Sequence, residues 1–325
     1  MKVLMLVMKE QRALLDNFYA AIAQHLDDCD VRQLTDDEQA DLKKYFVEHV
    51  DVAAYSRIVV FIRCKKAFAQ RSFFSSIPNL VFLEHDAWQN FADCKYRGKF
   101  SQLYRSVPWA RIICSGKQHT QSFQSEGLDC IFVPKGYDQK LIQNLRRPRT
   151  IELAFVGSTN NAIYYQRKEF LEQLARIEPI EIVRTESGQD YVDKLNTIRY
   201  FVSADVGMGE YMIKNFEAMA AGCVLLTYDQ GAEENIAFGF EDMVNVVLYR
   251  DLKSLREKLA ILRSSLELGD RIAAAGQELV EKNFTFETLG AQVANAIRQD
   301  LRARTEPQQK SLWSQLKCLI QPRKQ

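Results

Sequence analysis

The sequence is poor in the residue patterns that mark most enzyme classes. Its four histidines, His25, His49, His85 and His119, are far apart and give no metal-ligand spacing. No H-E-x-x-H or G-x-S-x-G run occurs, which disfavours a zinc protease helix or a nucleophile elbow. No G-x-G-x-x-G follows "MKVLMLV" and no G-x-x-x-x-G-K-[ST] exists anywhere, so a dinucleotide fingerprint and a P-loop are disfavoured too. The seven cysteines (29, 64, 94, 114, 130, 223 and 318) are scattered, odd in number and never spaced C-x-x-C. That pattern suits reduced, partly buried thiols better than a disulfide framework or a zinc site. The formal charge of +1 supplies no overall attraction to nucleic acid. The apolar run in "MKVLMLVMKEQR" is short for a signal peptide, and no stretch has the length of a membrane span. The expectation is a cytoplasmic protein, with peripheral contact to a membrane left open.

What is present is alternation. The apolar runs "KVLMLV", "RIVVFIR", "NLVFLEHD", "ARIICSG" and "DCIFVPKG" have strand length, and stretches near 11–26, 65–74 and 117–126 have helical patterning. The polar, basic stretch "LIQNLRRPRT" (141–150) reads as a linker. Alternation then restarts with "IELAFVGS", "IEIVRTE", "FVSADVG", "CVLLTY" and "VNVVLYR", with helices expected near 166–177 and 191–200 and a mostly helical C-terminus. Buried strands alternating with helices indicate parallel sheets covered on both faces. The expected class is α/β, with two Rossmann-like domains facing each other across a cleft. The expected boundaries are 1–145 and 150–298, followed by a basic tail over 299–325. In such sheets ligands bind at the carboxyl ends of strands. The loops after Leu83, Val156 and Val206 are therefore the candidate site.

The richest segment is "GMGEYMIKNFEAMAAGCVLLTYDQG", from Gly207 to Gly231. Gly207 and Gly209 permit close approach of a ligand to the backbone. Met212, Ile213, Phe216, Met219 and Ala220 follow the spacing of a buried helix face. Glu217 is the exception, with Lys214 one turn earlier. A carboxylate there can grip two vicinal hydroxyls, and a lysine near a helix start can meet a phosphate. The competing reading is an ordinary i, i+3 surface pair, worth only about 0.2–0.5 kcal/mol.

"NFEAMAAGCVLLTY" resembles the "EAMA-x-G-x-x-[VL]" signature of GT-B-type glycosyltransferases, in the glycosyl transferase group 1 superfamily. The wider stretch resembles the subgroup that includes the CgeB-like proteins, and the likeness extends through "FGFEDMVNVVLYRDLKSLREKLAIL" and "RIAAAGQELVEKNFTFETLG" and back to "AFVGSTNNAIYYQRKEFLEQL". "FVPKGYD" is similar to the "[IV]-P-N-G-[VY]-D" segment that closes the first domain of those enzymes. The resemblance implies that Glu217 binds the ribose of a nucleotide sugar, with Lys214 and Asn215 beside it. Gly157, Ser158, Thr159 and Asn160 would face the diphosphate, although the usual arginine–lysine pair of that loop is missing and the same residues suit a plain helix cap. Many relatives carry a second glutamate, against the donor sugar, where this chain has Gly209; Glu210 is the nearest carboxylate. The resemblance further implies a retaining reaction with no metal or other cofactor.

In the first half, "FLEHDAWQNF" places His85 and Asp86 at a strand end, as acceptor contacts or a general base, or else as a capped turn. An inverting reaction with either as base stays open. Trp88 and Tyr104 read as core or as a sugar platform, Lys135 as hinge or cleft lining, and Arg167 as cover for its helix. The tail "LRARTEPQQKSLWSQLKCLIQPRKQ" is basic, and Leu312, Trp313, Leu316, Leu319 and Ile320 share one helical face. It suits either an anionic membrane surface or packing on the first domain. The partners expected are a nucleotide sugar and a glycan or glycolipid acceptor, such as a lipopolysaccharide or other cell-surface polysaccharide precursor. The rival readings are a nucleotide-sugar epimerase on the same fold and a binding protein without catalysis.

Overall fold

A computed structural model describes residues 1–11, 13–159 and 164–304. The first sheet contains six parallel strands, β1 (Lys2–Met8), β2 (Asp28–Leu34), β3 (Arg57–Phe61), β4 (Leu80–Glu84), β5 (Arg111–Cys114) and β6 (Asp129–Phe132). Their order is β2-β1-β3-β4-β5-β6. The second sheet contains β7 (Ile151–Val156), β8 (Glu181–Val183), β9 (Ile198–Ser203), β10 (Val224–Tyr228) and β11 (Val247–Tyr249), in the order β11-β10-β9-β7-β8. The first strand of each sheet has a partner on either side. Val3 aligns with Cys29 and with Arg57, and Ala154 with Glu181 and with Phe201. The strand order therefore reverses beside β1 and again beside β7, the places where such sheets open a crevice for ligands.

Side chains of β1 alternate between two cores, as strand geometry requires. Leu4 and Leu6 join Ile58, Val60 and Phe82 on one face. Val3, Met5 and Val7 join Phe18, Ile22, Leu289 and Val293 on the other. The second sheet is likewise covered on both faces, with Phe216 and Met219 on one and Phe155, Leu171 and Leu259 on the other.

The chain passes between the sheets twice, at adjacent points. Tyr137 N–H donates to the Phe284 carbonyl at 2.9 Å, and Phe286 N–H donates to the Tyr137 carbonyl at 2.9 Å. The last described helix, Phe286–Arg298, then lies on the first sheet beside helix Asp16–Gln24, although its sequence belongs to the stretch expected to form the second domain. Beyond it, residues 299–304 stay against the first sheet's side, with Arg304 donating to the Ser75 carbonyl at 2.9 Å and lying over the Trp109 ring. The amphipathic segment from Leu312 to Ile320 lies outside the described residues. Among the described residues no helix is long and apolar enough to cross a membrane. The six described cysteines are free, and Cys114, Cys130 and Cys223 are buried.

Candidate active site

The carboxyl ends of both sheets face one cleft of about 460 Å³. The first sheet contributes Met8, the turn residues Leu14 and Leu15, Phe61 at the end of β3, and His85 and Asp86 beyond β4. The second contributes Val156, Gly157 and Ser158 beyond β7, Thr185–Gly188 beyond β8, and Ile213, Lys214 and Glu217 from the helix after β9. That helix, Ile213–Ala220, is slim because Ala218 and Ala220 press against the sheet, and its N-terminus has no side-chain cap. In its first turn the Asn215 N–H donates to the Met212 carbonyl at 2.9 Å, and the positive end of the helix favours an anion.

Glu217 reaches the cleft and accepts a 2.8 Å hydrogen bond from the Tyr191 hydroxyl. Burial raises its carboxyl above the ordinary value; the Tyr191 bond and the Lys214 charge offset part of that rise. Lys214 Nζ donates to the Val156 carbonyl at 3.2 Å and lies 4.9 Å from the Phe155 ring centre. This path runs over Gly157, where a Cβ would stand 2.3 Å from Nζ and would push the lysine end aside.

His85 lies between the Phe18 and Phe61 rings, with centroids at 5.8 and 5.2 Å. Burial, followed by the Lys135 charge, pushes its imidazole down to about 3, so it is neutral at physiological pH. Asp86 opens to the cleft but has protein on its other sides, and this desolvation raises its carboxyl. Beneath it Glu84 is pushed up to about 8 by burial and by Asp86, and it accepts hydrogen bonds from Asp86 N–H and the Tyr104 hydroxyl. Tyr104 is core, whereas Trp88 is buried and stacks against Tyr164 across the cleft at 6.0 Å.

Of the residues singled out from sequence, His85, Asp86, Gly157, Ser158, Lys214 and Glu217 share the cleft wall. Four others do not. Glu210 is fully buried, in an ion pair with Lys135 at 2.9 Å, and accepts from Ser115 Oγ and the Trp88 amide. Gly209 has φ +67° and donates its N–H to the Gln230 side chain. A glutamate there would be strained, and its Cβ would meet the His119 ring at 3.0 Å. Asn215 is buried behind the helix, with Nδ2 at 3.3 Å from Thr227 Oγ1. Thr159 is described and lies off the cleft wall; Asn160 is outside the described residues. Tyr191 and the buried Arg167–Asp205 pair, 2.7 Å apart, were not singled out as site residues. Only Arg167 carried a signal, as a cation inside an otherwise apolar helix face. Among the described residues, no three His, Cys, Asp or Glu side chains converge as metal ligands.

Residues 135–295 match a family of known proteins described as glycosyl transferase-like. No curated protein sequence matches the chain. Among solved structures, HepE of Anabaena in complex with UDP-glucose superposes with a TM-score of 0.66 at 15% identity, over 91% of this chain and 99% of HepE. Sucrose-phosphate synthase of Thermosynechococcus elongatus gives 0.66 at 11% identity, over 92% and 99%. S. aureus TarM, in complex with fondaparinux, α-GlcNAc-glycerol and UDP, gives 0.59 at 11% identity, over 79% of this chain and 58% of TarM. With two facing parallel sheets and an open cleft, the chain has the GT-B fold of glycosyltransferases, and its second half belongs to the glycosyl transferase-like family.

Proposed function

We propose that the protein moves a sugar from a nucleoside-diphosphate sugar to a hydroxyl of a glycolipid, lipopolysaccharide or other cell-surface polysaccharide precursor, with retention and without a metal ion. The observation that carries the reading is the placement of Glu217 and Lys214 on one cleft wall, at the uncapped end of their helix. Glu217 takes the ribose hydroxyls. Lys214, the helix amides and the Gly157–Ser158 backbone take the diphosphate. HepE holds UDP-glucose, which supports a uridine nucleotide as the first donor to test.

The acceptor lies against the first sheet. Met8, Leu14, Leu15, Phe61 and Phe286 make that wall mostly apolar, which suits a lipid-linked acceptor. The basic sequence after Leu301 suits an anionic surface on the cytoplasmic face of the membrane. Neutral His85 accepts a hydrogen bond from the acceptor hydroxyl, and Asp86 holds it in place. A thermal-shift screen of UDP, GDP, CMP and dTDP sugars, repeated on Glu217→Ala, tests the reading. One nucleotide should stabilise the native protein and fail to stabilise the variant. No shift with any of them, or an unchanged shift in the variant, contradicts it.

A further inference from the structure

Lys135 stands where the chain first passes between the sheets. Its side chain is 5% exposed, and its partner Glu210 is fully buried. The ion pair at 2.9 Å is its one strong contact among the described residues. The Tyr211 carbonyl lies at 3.4 Å and Met212 Sδ at 3.8 Å, both weak. An ammonium has three N–H donors, so donor capacity remains unused on a group that lines the cleft. Burying an ion pair for structure alone has a poor return, because apolar side chains of similar volume often serve as well or better. Met212, beside Nζ, is the N-cap residue of helix Ile213–Ala220, the uncapped end proposed above to receive the diphosphate.

We infer that Lys135, held by Glu210, donates to the phosphate oxygen that leaves the sugar, so that one cation of the donor site comes from the interdomain crossing. The inference rests on the donor-site reading above. As the bond between the anomeric carbon and that oxygen breaks, its electron pair stays on the oxygen. The acceptor oxygen bonds the anomeric carbon, and the acceptor proton passes to the released diphosphate. Negative charge on the leaving oxygen peaks before the proton arrives, and a fixed ammonium in a desolvated setting stabilises it. Glu210 is a positioning residue: it holds Nζ in place while also gripping Ser115 and the Trp88 amide of the first domain.

Calorimetry with UDP, GDP and ADP and with the matching monophosphates tests this on the full chain. The paired variant Lys135→Met/Glu210→Met removes both charges together. The native protein should prefer a diphosphate over its monophosphate, and the paired variant should lose about ten- to a hundredfold of that preference while keeping its monophosphate affinity. If the variant keeps the full preference, Lys135 does not touch the terminal phosphate and this inference falls alone. If the native protein binds none of the nucleotides, the donor-site reading falls and takes the inference with it. Should the paired variant not fold, a crystal structure of the native protein with the tightest-binding diphosphate decides. Nζ within hydrogen-bond reach of a terminal phosphate oxygen is expected, and its absence there overturns the inference.

Discussion

At the scale of single residues, burial raises two carboxyl groups well above the ordinary range, Glu84 at the end of β4 and Glu234 at the domain seam. Glu84 is raised from an ordinary 4.5 to about 8, and Glu234 from 4.5 to about 7, with burial the main cause of both. A carboxyl raised by folding stabilises the native state fully below its unfolded value, and that contribution is lost as pH rises through the folded value. His85 runs the other way: lowered from 6.5 to about 3, it contributes stability that is present above 6.5 and lost as pH falls toward 3. Thermal midpoints measured across pH should therefore decline from about 5 toward 9, and Glu84→Gln should flatten that decline; an unchanged slope contradicts the assignment. Glu217 was legible in sequence as a charge out of place in an apolar helix. The inward turn of Glu210 to Lys135 was not legible, since only the fold shows that Gly209 before it has a left-handed backbone. Tyr191 gave no signal, because its bond to Glu217 joins residues far apart in the chain.

At the scale of elements, strands with a continuous apolar run were read correctly from sequence, and β2 was not. "DCDVRQL" is half polar because β2 is an edge strand pairing only with β1, and Asp30 there binds Arg32 and the Tyr55 hydroxyl. The helix expected near 191–200 ends at Leu195, since residues from Ile198 are drawn into β9 between β7 and β10. The final helix, Phe286–Arg298, holds to the first sheet through two arginines. Arg57 donates to the Ile297 and Gln299 carbonyls, and Arg111 to those of Ala296, Gln299 and Asp300 while pairing with Asp129 at 3.0 Å. Cations at the end of a helix satisfy its last carbonyls and oppose its dipole. Arg111→Ala strands Asp129 and those carbonyls, and it should cost about 3–5 kcal/mol in urea unfolding. A loss within about 0.5 kcal/mol, as for an ordinary surface change, argues that the helix is held by its apolar face alone.

At the scale of the whole molecule, two sheets face each other with strand orders that match over five strands, β6 being extra in the first, and their strand-end loops meet at a polar seam. Glu234 of the second domain accepts the Lys117 and Gln118 amides at 3.2 and 3.0 Å, capping helix Lys117–Ser125 of the first. Glu234→Ala should lower stability by about 1–2 kcal/mol, read from the thermal midpoint, and no change contradicts a capping role. The two-domain plan was visible in the repeated alternation of strand and helix. The return of the last helix was not, because an amphipathic pattern shows that a face is buried without showing against what. The central claim is that Glu217 grips a ribose, and titration calorimetry with a nucleoside diphosphate and its 2′-deoxy form tests it most directly. Removing the 2′-hydroxyl should weaken binding to the native protein by about tenfold or more, and should weaken binding to Glu217→Ala far less. Equal losses in both proteins, or none in the native one, contradict the claim.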